Sequence, residues 1–172
     1  MNIGIMGLGE IAQSMALTIE KMEGVTLVAV AARDINKAVN FSRRFHVKKA
    51  YGSYEDLVKD EEVDLVYVAT PHSFHYEHAK LCLTNHKPVL VEKAFTVNQK
   101  EAEELIELAI KNHTFLAEAM WVRYMPMAQT LKEVLEDELI GEITAVSANL
   151  GYELTVIERI VDPMLAGGAF RA

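Results

Sequence analysis

Cysteine, basic charge and long apolar runs are all scarce in this chain, and each scarcity closes a class of answers. A lone cysteine among 172 residues, Cys82, has no partner for an internal disulfide, so burial rather than cross-linking must hold the fold. Between Leu81 and Leu83 it reads as a small buried hydrophobe, not a reactive thiol. No apolar run approaches the roughly 20 residues of a membrane span. The start, Met1-Asn2-Ile3-Gly4-Ile5-Met6, lacks a charged leader before a long apolar stretch. The expectation is a cytoplasmic protein with no membrane partner. Only 17 Lys and Arg stand against 25 Asp and Glu, a formal net charge of −8, which argues against a nucleic-acid partner with its need for a basic face. What is present is 51% hydrophobic and 24% charged, the balance of a globular domain able to bury a core. The length suits one ordinary domain and part of another.

Apolar runs of strand length alternate with amphipathic stretches. Residues 2–6, 25–31, 64–69, 88–91 and 114–117 predict strands, and 10–22, 35–45, 54–59, 73–84 and 98–111 predict helices. The strands are rich in Val, Leu and Ile without polar alternation, which suits strands covered by helices on both faces. The order predicts an α/β fold, a doubly wound parallel sheet. From Tyr124 the pattern changes. A helix is expected at 127–138, closed by Gly141, then a strand at 142–150 that opens a second unit. The run from Asp162 to Ala169 reads as a turn and the first residues of another helix, just before the last residue, Ala172. About twenty residues after that strand are too few for a second domain.

Ligands of open parallel sheets bind outside the carboxyl ends of the strands, so the residues there carry the functional reading. The first strand runs into Gly7-Leu8-Gly9-Glu10-Ile11-Ala12. In this G-x-G-x-x-A turn the first glycine allows the bend, and the second lets a pyrophosphate approach the backbone. Ala12 lets helix pack on strand, and backbone N–H groups around Glu10 and Ile11 hold phosphate. After the second strand come Ala31-Ala32-Arg33-Asp34. A carboxylate here would favour NAD and an arginine the 2′-phosphate of NADP. Arg33 comes first, which favours NADP over NAD, while Asp34 serves as a helix N-cap. The alternative for Arg33 is a solvated surface charge.

The strand at 64–69 is followed by Thr70-Pro71-His72-Ser73-Phe74-His75, with His78 further on. Histidines three apart share a helix face, but six apart they drift away, and no cysteine or carboxylate cluster supports a metal. Structural histidines remain the alternative to functional ones. Glu92-Lys93 follows the next strand, where a lysine ammonium can stabilise a developing alkoxide and relay a proton. Taken alone, such a pair is ordinary surface. Trp121 and Arg123, within Glu118 to Tyr124, suit either core packing or the wall of a small-molecule pocket.

These segments resemble the Gfo/Idh/MocA family, the relatives of glucose–fructose oxidoreductase and inositol dehydrogenase. "GLGEIA", "AARD", "ATPHSFHYEHA", "VEKAF" and "GEI" stand in that family's order and spacing. "AYGSYEDL", "EAMWVRYMP" and "DPMLAGGA" are similar to its dihydrodiol dehydrogenase and NADP-linked xylose dehydrogenase branch. The resemblance implies a Rossmann-type sheet domain over residues 1–122. Residues 123–172 would then be a linker helix and the incomplete start of an α+β substrate and dimerisation domain. It implies hydride transfer between NADP and a sugar, polyol or diol, in proteins that are homo-oligomers at full length. Gly7, Gly9 and Ala12 would hold the pyrophosphate and Arg33 the 2′-phosphate. Thr70, Pro71 and His72 would border the cofactor, and Trp121 and Arg123 would lie beside cofactor and substrate. His75 would sit by the active site as a catalytic residue, Lys93 would be the catalytic lysine, and Glu92 and Lys93 would also contact the cofactor.

Two departures stand out. Ala94 replaces the proline of the family's Glu-Lys-Pro, which removes a backbone restraint beside Lys93. After Gly-Gly-Ala the family continues Leu-Leu-Asp-x-Gly-x-Tyr or His, whereas this chain reads Phe170-Arg171-Ala172. The expectation is therefore a truncated enzyme that binds dinucleotide and turns over little substrate. The alternative is a non-catalytic NADP-binding module or sensor.

Overall fold

A computed structural model describes residues 1–149 together with Gly151, Glu153, Val161, Asp162 and Leu165. Six parallel strands form one sheet: β1 (Asn2–Met6), β2 (Thr26–Ala31), β3 (Lys49–Tyr51), β4 (Leu65–Val68), β5 (Val89–Val91) and β6 (Leu116–Glu118). Their order is β3-β2-β1-β4-β5-β6. The chain works outward from β1 in one direction, then returns to its other side at β4. That reversal opens a crevice at the carboxyl ends of β1 and β4, the topological switch point of such sheets.

The helices are α1 (Glu10–Ile19), α2 (Ile35–Arg44), α3 (Tyr54–Lys59), α4 (His75–Thr84), α5 (Gln99–Lys111) and α6 (Pro126–Glu136). The side-chain period of two sends each strand's apolar residues to both faces of the sheet. Ile3, Ile5, Val30 and Tyr67 pack with Ala12, Ala16 and Ile19 of α1 and Phe41 of α2. Met6, Val28, Val66, Val68 and Val91 pack with Leu57 of α3, Ala79, Cys82 and Leu83 of α4, and Leu105 of α5. Cys82 is fully buried among them, and burial pushes its thiol pKa up to about 12.

Most elements fall where the sequence puts them, with instructive differences. β3 is too short and too polar to show in a hydrophobic pattern. Its Lys49 is held by Asp60 at 2.8 Å and Glu62 at 3.1 Å rather than by an apolar face. α1 stops at Ile19 instead of residue 22, because the chain must turn through Gly24, at φ +74°, to enter β2. The predicted helix at 73–84 divides into a 3-10 turn, His72–Phe74, and α4. β6 lies two residues later than predicted at its start.

The expected strand at 142–150 is corrected. Residues 142–149 are exposed and form no strand, and Leu150 lies outside the described residues. A strand needs a neighbour to take its backbone hydrogen bonds, and residues 142–149 pair with neither edge strand, β3 or β6. Of the run at 162–172, only Asp162 and Leu165 are among the described residues, so the expected turn and helix start lie largely outside them. No helix among the described residues is long and apolar enough to cross a membrane.

Candidate functional site

The crevice at β1 and β4 is shaped first by two glycines with different jobs. Gly7 leaves β1 at φ +88°, a region that side chains other than glycine rarely adopt. A Cβ there would lie 2.7 Å from Thr70 Cγ2 and 2.9 Å from the backbone carbonyl of Ala69. The turn therefore fits against β4 only because Gly7 has no side chain. Gly9, by contrast, has open space on every side where a Cβ would go. It precedes α1 without a side-chain cap, whereas Asp34, Ser53 and Asn98 cap α2, α3 and α5. The first N–H groups of α1, around the exposed Glu10 and Ile11, are thus left for an anionic ligand. Ala12, fully buried, seats the helix on the sheet.

At the end of β2, Ala31 and Ala32 are buried and Arg33 is exposed. Asp34 is spoken for: its Oδ1 accepts from Asn36 N–H at 2.9 Å. After β4, Thr70 and His72 are buried, with Pro71 exposed between them. His75 is wholly buried, its Nε2 2.8 Å from the Thr70 carbonyl oxygen and its Nδ1 2.8 Å from that of Ala94. Both ring nitrogens face backbone oxygens, so the imidazole bridges the chain ends of β4 and β5 and turns neither nitrogen to open space. The ring of His72 meets it edge-on at 5.5 Å.

Lys93 sits on a short loop that side chains fix residue by residue. Glu92 accepts the Tyr67 hydroxyl with one oxygen and the Lys93 N–H, at 3.2 Å, with the other. Ala94 offers its carbonyl to His75, and Phe95 N–H donates to Glu118 Oε1 at 2.9 Å. The Lys93–Ala94 peptide is cis. Tyr67 is buried in the centre of the sheet, and that burial, with the Glu92 carboxylate beside it, drives its pKa far above the ordinary phenol value. The hydroxyl thus keeps its proton and donates. The restraint expected to go with the missing proline is supplied here by hydrogen bonds from β4, α4 and β6.

Gly7, Gly9, Thr70, His72, His75, Glu92 and Lys93 therefore converge on neighbouring strand ends, with Arg33 one strand away. Trp121 and Arg123 lie in the 3-10 turn Trp121–Tyr124 after edge strand β6, the indole 63% exposed. No sequence motif marks Tyr67, Phe74 or Glu118 as site residues, and His78 enters the sequence reading only as the third of three histidines whose spacing does not support a metal. The signal for Tyr67 and Glu118 was a polar tip in an otherwise apolar strand. Among the described residues, no group of three or more His, Cys, Asp or Glu side chains could hold a metal ion.

Trans-1,2-dihydrobenzene-1,2-diol dehydrogenase of Xenopus tropicalis is 37% identical over 168 residues, 96% of this chain and 51% of that protein. The enzyme of the same name from Mus musculus is 40% identical over 167 residues, 96% of this chain and 50% of the relative. The chain thus spans about half the length of the curated relatives it matches. A solved 3-ketoreductase from Actinomadura kijaniata, in complex with TDP-benzene and NADP, superposes with a TM-score of 0.75 at 28% identity, over 83% of this chain and 45% of that one. An NAD binding oxidoreductase from Klebsiella pneumoniae gives a TM-score of 0.74 at 28% identity, over 83% of this chain and 40% of that one. Residues 1–120 match the Gfo/Idh/MocA oxidoreductases with their NAD-binding Rossmann fold, and the chain belongs to that family.

Proposed function

We propose that residues 1–122 are the cofactor domain of an NADP-dependent dehydrogenase or reductase acting on a sugar, polyol or diol, and that the segment from 123 begins its substrate domain. The observation that carries this reading is the convergence of an uncapped, glycine-led helix start with the clamped Lys93 loop at one crevice. The names of the relatives, diol dehydrogenases and a ketoreductase solved with NADP, support the substrate class and cofactor. Bound there, a nicotinamide cofactor would supply the hydride chemistry.

The protein's own part is binding, orientation and proton handling. Gly9 and the first N–H groups of α1 receive the pyrophosphate, and Arg33 pairs with the 2′-phosphate. Thr70, Pro71 and His72 border the crevice, and Trp121 and Arg123 extend its wall beyond β6. Lys93 presents its ammonium to the substrate oxygen, stabilising negative charge and relaying a proton. Glu92, His75 and Glu118 hold the Lys93 backbone, which makes His75 a positioning residue.

Fluorescence titration of NADPH and NADH tests the cofactor half. NADPH is expected to bind more tightly, and Arg33→Ala to weaken it by about 1.5–3 kcal/mol, the worth of a hydrogen bond to a charged group. Equal affinity for the two cofactors in the wild type would overturn the NADP assignment. Oxidation of a panel of diols, polyols and sugars tests the other half. In a protein that carries a complete second domain, Lys93→Met should lower turnover by orders of magnitude while NADPH affinity stays within about twofold, since the lysine acts on the substrate. Binding without turnover is the result expected of the 172-residue chain; the same result in a protein with a complete second domain would favour a cofactor-binding module instead.

A further inference from the structure

Arg33 does not project alone into solvent. Its guanidinium carbon lies 5.7 Å from the centroid of the Phe74 ring, within cation–π range. Phe74 in turn stacks on His78, centroids 5.9 Å apart and planes 23° from parallel. His78 also meets Tyr54 edge-on at 4.6 Å and 73°. The imidazole is also pinned by Thr70, whose Oγ1 lies 2.9 Å from Nδ1. Residues from the end of β2, the 3-10 turn, α4 and the start of α3 thus make one column at the strand ends. Its outer member is the guanidinium.

The column is built to carry a cation at one end only. Burial, with the Arg33 charge and His75 nearby, lowers the His78 pKa to about 4, so the ring is neutral at pH 7 and does not repel Arg33. Tyr54 is likewise kept as a neutral phenol by burial. A guanidinium resting one face on an aromatic ring still has its N–H edge and other face for a ligand. An exposed arginine normally loses rotamer freedom when it grips a phosphate, and a shelf that orders it beforehand reduces that loss.

We propose that Phe74, backed by His78 and Tyr54, is a specificity-determining residue that pre-orders Arg33 for the 2′-phosphate of NADP. The inference rests on the Arg33 reading given above. Calorimetric titration of 2′,5′-ADP and 5′-AMP isolates the phosphate, because the two probes differ only in that group. Phe74→Leu, which keeps apolar bulk without a ring face, should weaken 2′,5′-ADP roughly threefold and leave 5′-AMP unchanged, the size of an exposed cation–π contact. Phe74→Tyr should restore the wild-type ratio. Equal weakening of both probes would mean that Phe74 only packs, and would overturn the proposal. Unchanged affinity for both probes in Phe74→Leu would overturn it too, leaving the Arg33 assignment intact. A wild-type chain with no preference between the probes would overturn both.

Discussion

Ile5, Met6, Leu57 and Leu105 in the sheet domain are shut off from water, whereas Met127, Leu131, Leu139 and Val146 beyond it are 71%, 55%, 70% and 84% exposed. α5 and α6 are both amphipathic helices of similar length, yet α5 buries Leu105 and Ala109 and α6 buries nothing. The difference lies beneath the helices, not within them. α5 packs on α4 and shares a buried cluster with strand residues, whereas among the described residues α6 packs chiefly on the adjoining 3-10 turn. Amphipathic patterning states what a helix needs in order to contribute stability; it does not supply the surface.

That contrast is sharpest at Leu57. It is fully buried between α3 and the sheet, packed in the cluster with Val63 and Val66. Leu57→Ala removes buried methyl groups and leaves a cavity, at an expected cost of about 3–5 kcal/mol by chemical denaturation. A loss below about 1 kcal/mol would mean that the sheet domain is no better packed than α6.

The two glycines of the first turn divide the sheet domain itself into what serves the fold and what serves the ligand. Gly7→Ala forces a side chain into a positive-φ position against the Ala69 backbone, and should destabilise by about 2–3 kcal/mol. Gly9→Ala meets nothing and should leave stability within about 0.5 kcal/mol, because its φ of −83° suits any residue. The added methyl would stand where the pyrophosphate approaches, so NADPH binding should fall at least tenfold. If Gly9→Ala binds NADPH normally, the phosphate does not sit over that turn.

The strand–helix rhythm and the Gly7-to-Ala12 turn could be read from the sequence because both are local: burial on two faces and a tight turn leave their mark within a few residues. The network around Lys93 could not. Tyr67, His75 and Glu118 come from β4, α4 and β6, and only the sheet order brings them to residues 92–95. The same holds for the Arg33 column, in which Arg33, Tyr54 and the Phe74–His78 pair come from separate parts of the chain. The strand expected at 142–150 failed for the converse reason. Its residues have a strand-like composition, but pairing is a property of a neighbour, and residues 142–149 pair with no strand of the sheet.

His78 makes the sheet domain sensitive to mild acid in a way that the exposed segment is not. Its folded pKa of about 4 lies below the ordinary value of 6.5, lowered by burial and by Arg33 and His75, with Glu55 opposing. The unfolded chain therefore takes up the proton first. The neutral ring's contribution is complete above about pH 6.5 and is lost as pH falls toward 4. The ring is half-buried, so solvent screening reduces the effect to about 1–2 kcal/mol. Denaturation at pH 7 and pH 4.5 should show this loss in the wild type, and His78→Gln should lack it. An unchanged slope in the variant would assign the acid sensitivity to other groups.

The smallest effect is expected at Leu131, and it tests the comparison from its open side. Leu131 lies on α6 with 55% of its surface already in water. Leu131→Lys replaces one good helix former by another, removes little buried area and keeps the i, i+4 pair of Lys132 with Glu136 in place. Stability measured by denaturation of the 172-residue chain should therefore stay within about 0.5 kcal/mol of wild type. The same charge placed at Leu105, on the buried face of α5, should unfold the domain, because an unpaired ammonium would sit in the core. A loss of more than about 1 kcal/mol at Leu131 would show that the apolar face of α6 is covered in solution. The contrast between the two regions would then be one of partners present in solution, and the exposed face would have to be assigned a contact.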